Sequence, residues 1–82
     1  MRLPRDLSGE ALAARLQRYG FEITRQTGSH MRLTSTHGGV EHHITVPRHD
    51  ALRVGTLSAI LADVAGYLGI ERSDLFEQLF GR

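Results

Sequence analysis

Two stretches of alternating apolar and polar residues, HMRLTST and VEHHITV, flank a pair of glycines and constrain the fold of this chain most strongly. Alternation with a period of two is typical of a strand with one buried face. Gly38-Gly39 predicts a two-residue hairpin loop, because a type I′ turn needs positive φ at both loop positions. The resulting register pairs Leu33 with Ile44, and a slip of one residue would destroy the match between apolar residues.

That register divides the side chains of the hairpin between two faces. The residues predicted to face the core are Met31, Leu33, Val40, His42, Ile44 and Val46. The residues predicted to face outward are His30, Arg32, Thr34, Glu41, His43 and Thr45.

A helix and a further strand are predicted before the hairpin. The helix lies between Ser8, a typical N-cap residue, and Gly20, a typical stop. The stretch FEITRQ then predicts a strand with Phe21 and Ile23 on its buried face.

Two helices are predicted after the hairpin, with Thr56 and Ser73 as their N-caps and Gly69 ending the first of them. The element order is therefore α-β-β-β-α-α. We predict an α+β fold in which a three-stranded antiparallel sheet carries the helices on its apolar face, within a single domain of residues 1–82.

Composition narrows the class of protein. The 82 residues contain no Cys, which excludes disulfides and thiolate metal sites. No apolar run approaches the roughly 20 residues that span a bilayer, and the first ten residues lack the apolar stretch of a secretory signal. We therefore expect a cytoplasmic protein with no membrane partner.

Positive charge is concentrated in the first two thirds of the chain. Residues 1–53 hold eight Arg against five acidic residues, a balance of +3, whereas residues 54–82 hold two Arg against four acidic residues, a balance of −2. All ten basic residues are Arg, which can hold phosphate through two parallel hydrogen bonds, although genomic base composition explains the absence of Lys equally well. The asymmetry is a hint of an anionic partner.

Five histidines raise the question of a metal site. His42 and His43 are adjacent in a strand, so they face opposite sides of the sheet and cannot share an ion. The chain has no HExxH motif, and THGGVE lacks the Lys-Ser/Thr of a phosphate-binding loop. We predict no metal and no cofactor.

The segment TGSH carries groups suited to phosphodiester chemistry. Gly28 permits a turn and a close approach of backbone to a ligand, and Ser29 offers a hydroxyl. His30 opens the next strand on the solvent-facing side, close to Arg32. Imidazole can move a proton near neutral pH, and guanidinium stabilises charge that develops on phosphate. On chemistry alone, a surface His at the end of a hairpin is the simpler interpretation.

Four segments in order favour the functional interpretation: RYGFEITRQ, GSH, ITVPRH and GTLSAIL. Together they make residues 7–70 resemble the HicA (YcfA-like) family of toxins from bacterial and archaeal toxin–antitoxin systems. The resemblance implies a fold similar to the double-stranded-RNA-binding domain, endoribonuclease activity that cleaves mRNA, and His30 as the catalytic residue. It also implies a HicB-type antitoxin that binds the toxin and covers this site.

The substrate-binding candidates around His30 are Gly28, Ser29, Arg25, Arg32, Arg48 and Arg53. Metal-independent cleavage would proceed by attack of the RNA 2′-hydroxyl on phosphorus, with His30 either taking that proton or protonating the leaving oxygen. His43 is the second choice for acid–base help, and whether His49 reaches the site is left open. The outward arginines of the first helix, Arg15 and Arg18, are expected to form a solvated face.

Two other functions fit parts of the sequence. A non-catalytic RNA-binding domain would share the fold and the basic surface, and its binding would survive loss of His30. The stretch SAILADVAGYLGIERSDLFEQLF has the rhythm of a helix-turn-helix, which would make the chain a DNA-binding module. Its presumed second helix is acidic, however, and lacks side chains for reading a groove.

Overall fold

The computed structural model describes residues 3–81; Met1, Arg2 and Arg82, the ends of the predicted 1–82 domain, lie outside the described residues. In chain order the elements are α1 (Gly9–Leu16) with a 3-10 turn at Gln17–Tyr19, β1 (Glu22–Thr27), β2 (His30–Ser35), β3 (His42–Pro47), α2 (Val54–Leu68) and α3 (Arg72–Phe80). The predicted α-β-β-β-α-α order is confirmed.

The three strands form an antiparallel sheet in the order β1-β2-β3, and the predicted register of β2 against β3 is confirmed. Leu33 pairs with Ile44 and Met31 with Val46, and all four side chains are buried. They join one hydrophobic cluster with residues of the three helices, so the helices cover the inner face of the sheet. His30, Arg32 and the other even-numbered residues of β2 lie on the outer face.

The connection between β2 and β3 is longer than predicted. The ladder ends at the pair Ser35–His42, which leaves a loop from Thr36 to Glu41. Gly39 has a positive φ and Gly38 does not, so the expected type I′ turn is wrong. The Tyr67 hydroxyl explains the difference, because it accepts a hydrogen bond from the Gly38 N–H and contacts the carbonyls of Ser35 and Val40.

Two predicted core positions are therefore exposed. Val40 lies in this loop and is 70% exposed, so its predicted burial is wrong. Ile23, predicted to share a buried face with Phe21, is 47% exposed, whereas Phe21 is fully buried. Ile23 lies on β1, an edge strand whose six residues are all exposed, and the pairing of β1 with β2 shifts immediately after it.

Of the three predicted N-cap residues, one is confirmed and two are wrong. Ser8 caps α1 as expected, with its side chain accepting a hydrogen bond from the Ala11 N–H. The predicted caps Thr56 and Ser73 are wrong, because α2 begins at Val54 and α3 at Arg72. Leu52, which is buried and donates its N–H to the Leu7 carbonyl, anchors the chain just before α2.

Among the described residues, no single helix is long and apolar enough to cross a membrane. The pair α2 and α3, bent by 109° at their junction, passes the same criterion by length and composition. The apolar residues of this pair include Leu57, Leu61, Val64 and Leu75, which are fully buried in the core.

Candidate active site

The turn that carries His30 is a tight two-residue hairpin. β1 ends at Thr27 and β2 begins at His30, and these two residues pair directly. Of the two loop residues only Gly28 has a positive φ, 54°, which is the pattern of a type II′ turn. The Ser29 carbonyl accepts a 2.6 Å hydrogen bond from the Arg48 N–H. The turn is therefore braced from β3, and it places the exposed His30 at the end of the outer face.

Two arginines lie opposite each other on adjacent strands, beside His30. Arg25 is the cross-strand partner of Arg32, which also lies opposite Thr45 of β3. Arg32 is two residues from His30 along β2, a separation of about 6.6 Å. Both guanidinium groups belong to exposed residues, and neither forms an ion pair with any other residue in the range 3–81.

A β-bulge brings Arg25 to this position. The pairing of β1 with β2 shifts between Ile23 and Arg25, so Thr24 is the extra residue of the bulged strand. Without the shift, strict alternation from the inward-directed Ile23 would turn Arg25 to the inner face. The sequence analysis grouped Arg25 with Arg32 for its charge alone and missed the bulge that brings them together.

The Arg25–Arg32 pair is suited to binding an anion. Like charges directly opposite in a sheet are destabilising, and a phosphate between them would offset their repulsion. Guanidinium can hold phosphate oxygens through two parallel hydrogen bonds. The outer face thus combines an arginine pair suited to an anion with an exposed imidazole two residues along β2 from Arg32. These are groups that can bind a phosphodiester and transfer a proton at it.

The other two candidate arginines lie apart from this pair. Arg48 continues the β3 register opposite Ser29, and its side chain lies towards α1, where its Nη2 is 3.1 Å from Oε2 of Glu10. Arg53 is the exposed N-cap residue of α2. The structure therefore gathers His30, Gly28, Ser29, Arg25 and Arg32 at one end of the sheet. Arg48 joins them only through its backbone N–H.

Glu10 contacts Arg48, a contact that the sequence analysis missed. That analysis treated Glu10 only as an acidic residue favoured by the helix dipole. It does lie in the first turn of α1. Its carboxylate also holds the Arg48 side chain, which a pattern within one helix cannot reveal because the two residues are far apart in sequence.

The other histidines are placed away from the arginine pair. His42 is half-buried, stacks on Tyr67 at 4.6 Å and places its Nε2 2.8 Å from Asp63 Oδ1. His37 lies in the β2–β3 loop, with its ring edge-on to Tyr19. Both lie at the end of the sheet opposite to His30.

His43 and His49 lie closer but do not share the site. His43 pairs with Thr34, which is four residues from His30 along β2 and so about 13 Å away. That separation is too large for the two imidazoles to act on one phosphate. His49 is exposed in the loop after β3, and its carbonyl accepts a hydrogen bond from the Gly9 N–H. No group of three or more His, Cys, Asp or Glu that could hold a metal ion occurs among residues 3–81.

Arg15 and Arg18 are exposed, as expected of a solvated face, and they also have structural partners. Arg15 Nη1 donates a 2.7 Å hydrogen bond to the Leu79 carbonyl and its guanidinium lies over the Phe80 ring, while Arg18 donates to the Gln78 carbonyl. Cations at the C-terminal end of a helix are favoured by the helix dipole. The two arginines therefore fasten α3 to α1.

The α2–α3 junction has the geometry of a helix-turn-helix. The helices bend by 109° across three residues that include Gly69 in the left-handed conformation. The exposed residues of α3 include Asp74 and Glu77, next to Glu71 at its N-cap. This acidic surface would repel a DNA backbone, so the junction does not favour the DNA-binding alternative.

Comparison with known families identifies the family of the chain. A family model described as the HicA toxin of bacterial toxin-antitoxin matches residues 9–65, well over half of the chain. The chain belongs to the HicA toxin family. No curated protein and no solved structure matches it. As a HicA-family chain it is a toxin of toxin–antitoxin type, and the family implies an antitoxin partner and an RNA target.

The HicA match contains the whole arginine pair and the turn that carries His30, and it ends at Ala65 within α2. The helix α3 lies beyond the matched residues. The groups gathered on the outer face of the sheet therefore lie within the matched residues, whereas the acidic helix lies outside them.

Proposed function

We propose that this HicA-family chain is a metal-independent endoribonuclease that cleaves mRNA on the outer face of its sheet, with His30 as the catalytic residue. The observation that carries the proposal is the exposed His30 beside the Arg25–Arg32 pair, on a face that no described element covers. An arginine pair without acidic partners in residues 3–81 favours an anionic ligand, and an adjacent imidazole gives that ligand a proton-transfer group.

The reaction follows from the chemistry of RNA. The 2′-hydroxyl lies next to the scissile phosphate, and His30 accepts its proton as the 2′-oxygen forms a bond to phosphorus. The bond from phosphorus to the 5′-oxygen breaks, leaving a 2′,3′-cyclic phosphate and a 5′-hydroxyl whose proton comes from the imidazolium or from water. Arg25 and Arg32 stabilise the negative charge that develops on the phosphate oxygens.

A single acid–base group accelerates a reaction by roughly 10²–10⁴, so this enzyme should be slow for a ribonuclease. Slow cleavage is sufficient for toxicity, because one cut inactivates an mRNA. Gly28 and Ser29 would bring backbone close to the scissile phosphate. Arg48 and Arg53 would contact flanking phosphates, and Arg48 must exchange its Glu10 partner to do so.

The antitoxin partner in this proposal is of the HicB type. Its inhibitory surface would cover the outer face and place a carboxylate at the Arg25–Arg32 pair, where the charge favours an acid. A partner bound there would exclude RNA from His30 without any change in the fold of the toxin.

Cleavage and binding measured side by side test the enzyme assignment. The purified protein, His30→Ala and the control His37→Ala are incubated with a labelled unstructured RNA in EDTA, and RNA binding is measured separately. His37 is an exposed His in the β2–β3 loop, at the end of the sheet opposite to His30, so it controls for loss of any surface imidazole.

We expect the native protein and His37→Ala to give products ending in 2′,3′-cyclic phosphate, while His30→Ala binds RNA and does not cleave it. Equal binding without cleavage by all three proteins would instead identify an RNA-binding domain. Cleavage that stops in EDTA would refute the metal-independent mechanism.

A further inference from the structure

Beyond the arginine pair, the outer face ends in a connected row of polar side chains, here called the polar row: Thr24, Thr34, His43 and Glu41. The Thr24 and Thr34 hydroxyl oxygens are 2.8 Å apart, and Thr34 Oγ1 is 2.7 Å from His43 Nδ1. His43 Nε2 is 3.2 Å from Oε1 of Glu41. The imidazole is therefore held by a hydrogen bond at Nδ1, and its Nε2 lies beside a carboxylate.

The polar row offers a ring and a carboxylate to a ligand. His43 Nδ1 and the Thr34 hydroxyl share a hydrogen bond, whereas Glu41 lies 3.2 Å from Nε2 as a charged neighbour without a hydrogen bond to it. A carboxylate can only accept, so Glu41 offers acceptor oxygens to a ligand. The side chains of His43 and Glu41 are 38% and 63% exposed. A fixed, exposed ring lies beside a carboxylate that has acceptor capacity left over, and no apolar packing of the core depends on either group.

Charge divides the outer face into two ends. The end with His30 and the Arg25–Arg32 pair is positive, whereas the other end holds Glu41 and also Glu22, the cross-strand partner of Thr34. Carboxylates repel phosphate, so an RNA strand on this face would place its phosphates at the positive end. The group that it presents to the polar row is then a base.

We propose that the polar row is a base-recognition subsite that stacks a nucleobase on His43 and accepts a hydrogen bond from its exocyclic amino group at Glu41. Carboxylates accept from the amino group of cytosine, and imidazole rings stack on unpaired bases. The subsite therefore favours cytosine or adenine over uracil, which has no amino group. The proposal rests on the proposed binding of RNA to the same face, and it makes Glu41 and His43 specificity-determining residues.

Binding of two matched probes tests the subsite without relying on catalysis. Short oligo(C) and oligo(U) differ only on one edge of the base, where cytosine has an amino group at C4 and no proton on N3, and uracil has a carbonyl at C4 and a proton on N3. Their dissociation constants are measured for the full chain carrying His30→Ala, alone and combined with Glu41→Gln, His43→Ala or the control Glu71→Gln. Glu71 is an exposed acid at the start of α3, so its substitution changes net charge equally but leaves the outer face intact.

We expect His30→Ala and its Glu71→Gln combination to bind oligo(C) about tenfold more tightly than oligo(U). The amide of Glu41→Gln can donate to a uracil carbonyl, so the ratio should fall to one or invert even though both affinities rise. His43→Ala should weaken binding of both probes. Tight binding without a cytosine preference, or a preference unaffected by Glu41→Gln, would overturn the subsite alone. Absence of binding to either probe would overturn the proposed function as well.

Discussion

Replacement of Gly9 by Ala should test how the site end of the sheet is supported. Gly9 is the first residue of α1 and is buried against the end of β3. A Cβ at this position would lie 2.9 Å from the Pro47 carbonyl carbon and closer still to its oxygen. Pro47 is the cross-strand partner of His30, and the Gly9 N–H donates a 3.0 Å hydrogen bond to the His49 carbonyl.

Two effects of Gly9→Ala oppose each other. Ala is the better helix former and contributes about 0.5–1 kcal/mol of stability in a helix. Insertion of a methyl group into a packed contact costs about 1–3 kcal/mol, occasionally more. The obstructing atoms belong to backbone, which cannot rotate away as a flexible side chain can, so the cost lies at the upper end and the net loss should be about 2 kcal/mol. For a domain of this size that lowers Tm by about 8–16 °C.

The measurement is thermal and urea unfolding followed by circular dichroism, with Gly66→Ala as the control. Gly66 lies inside α2, and nothing lies within 4 Å of an added Cβ, so Ala there should raise stability by about 0.8–1 kcal/mol. Opposite signs for the two Gly→Ala changes would confirm the contact between α1 and β3. If Gly9→Ala were as stable as the native chain, the reasoning from backbone packing would be refuted.

Two further substitutions separate stability from function. Arg32→Thr removes the like-charge opposition with Arg25, so the free energy of unfolding in urea should stay the same or rise by up to about 1 kcal/mol. RNA affinity should fall severalfold. A loss of both stability and affinity would contradict this reasoning. Tyr67→Phe leaves the Gly38 N–H without its hydroxyl partner and should cost about 1–2 kcal/mol in urea unfolding, whereas an unchanged midpoint would mean that Tyr67 does not hold the loop.

The hairpin shows what a sequence pattern can and cannot predict. The period-two alternation of β2 and β3 determined their register, because a slip would bury polar residues in place of Leu33 and Ile44. The loop could not be predicted from Gly38-Gly39 alone, since its conformation depends on the hydroxyl of Tyr67 in α2. The tight two-residue turn was expected at the glycine pair, yet it lies at Gly28-Ser29, before His30.

The candidate site was predictable to a similar degree. Residue chemistry and the family resemblance selected His30, Arg25 and Arg32, which the structure brings together. The contact of the Arg48 side chain with Glu10 could not be predicted from residue chemistry. Side chains alternate beyond Pro47 only as far as β3 stays paired, and the sequence does not show where that pairing ends. The bulge at Thr24 was also invisible, since a single unpaired residue leaves no periodic signal.

The two faces of the sheet differ in what they contribute to stability. The inner face holds Met31, Leu33 and Val46, which stabilise the fold by burial. The outer face makes no such contribution. It carries two opposed arginines, whose repulsion lowers stability by less than burial of the inner face raises it. Two opposed arginines add nothing to the stability of the free protein, which supports the anion-binding role proposed for them.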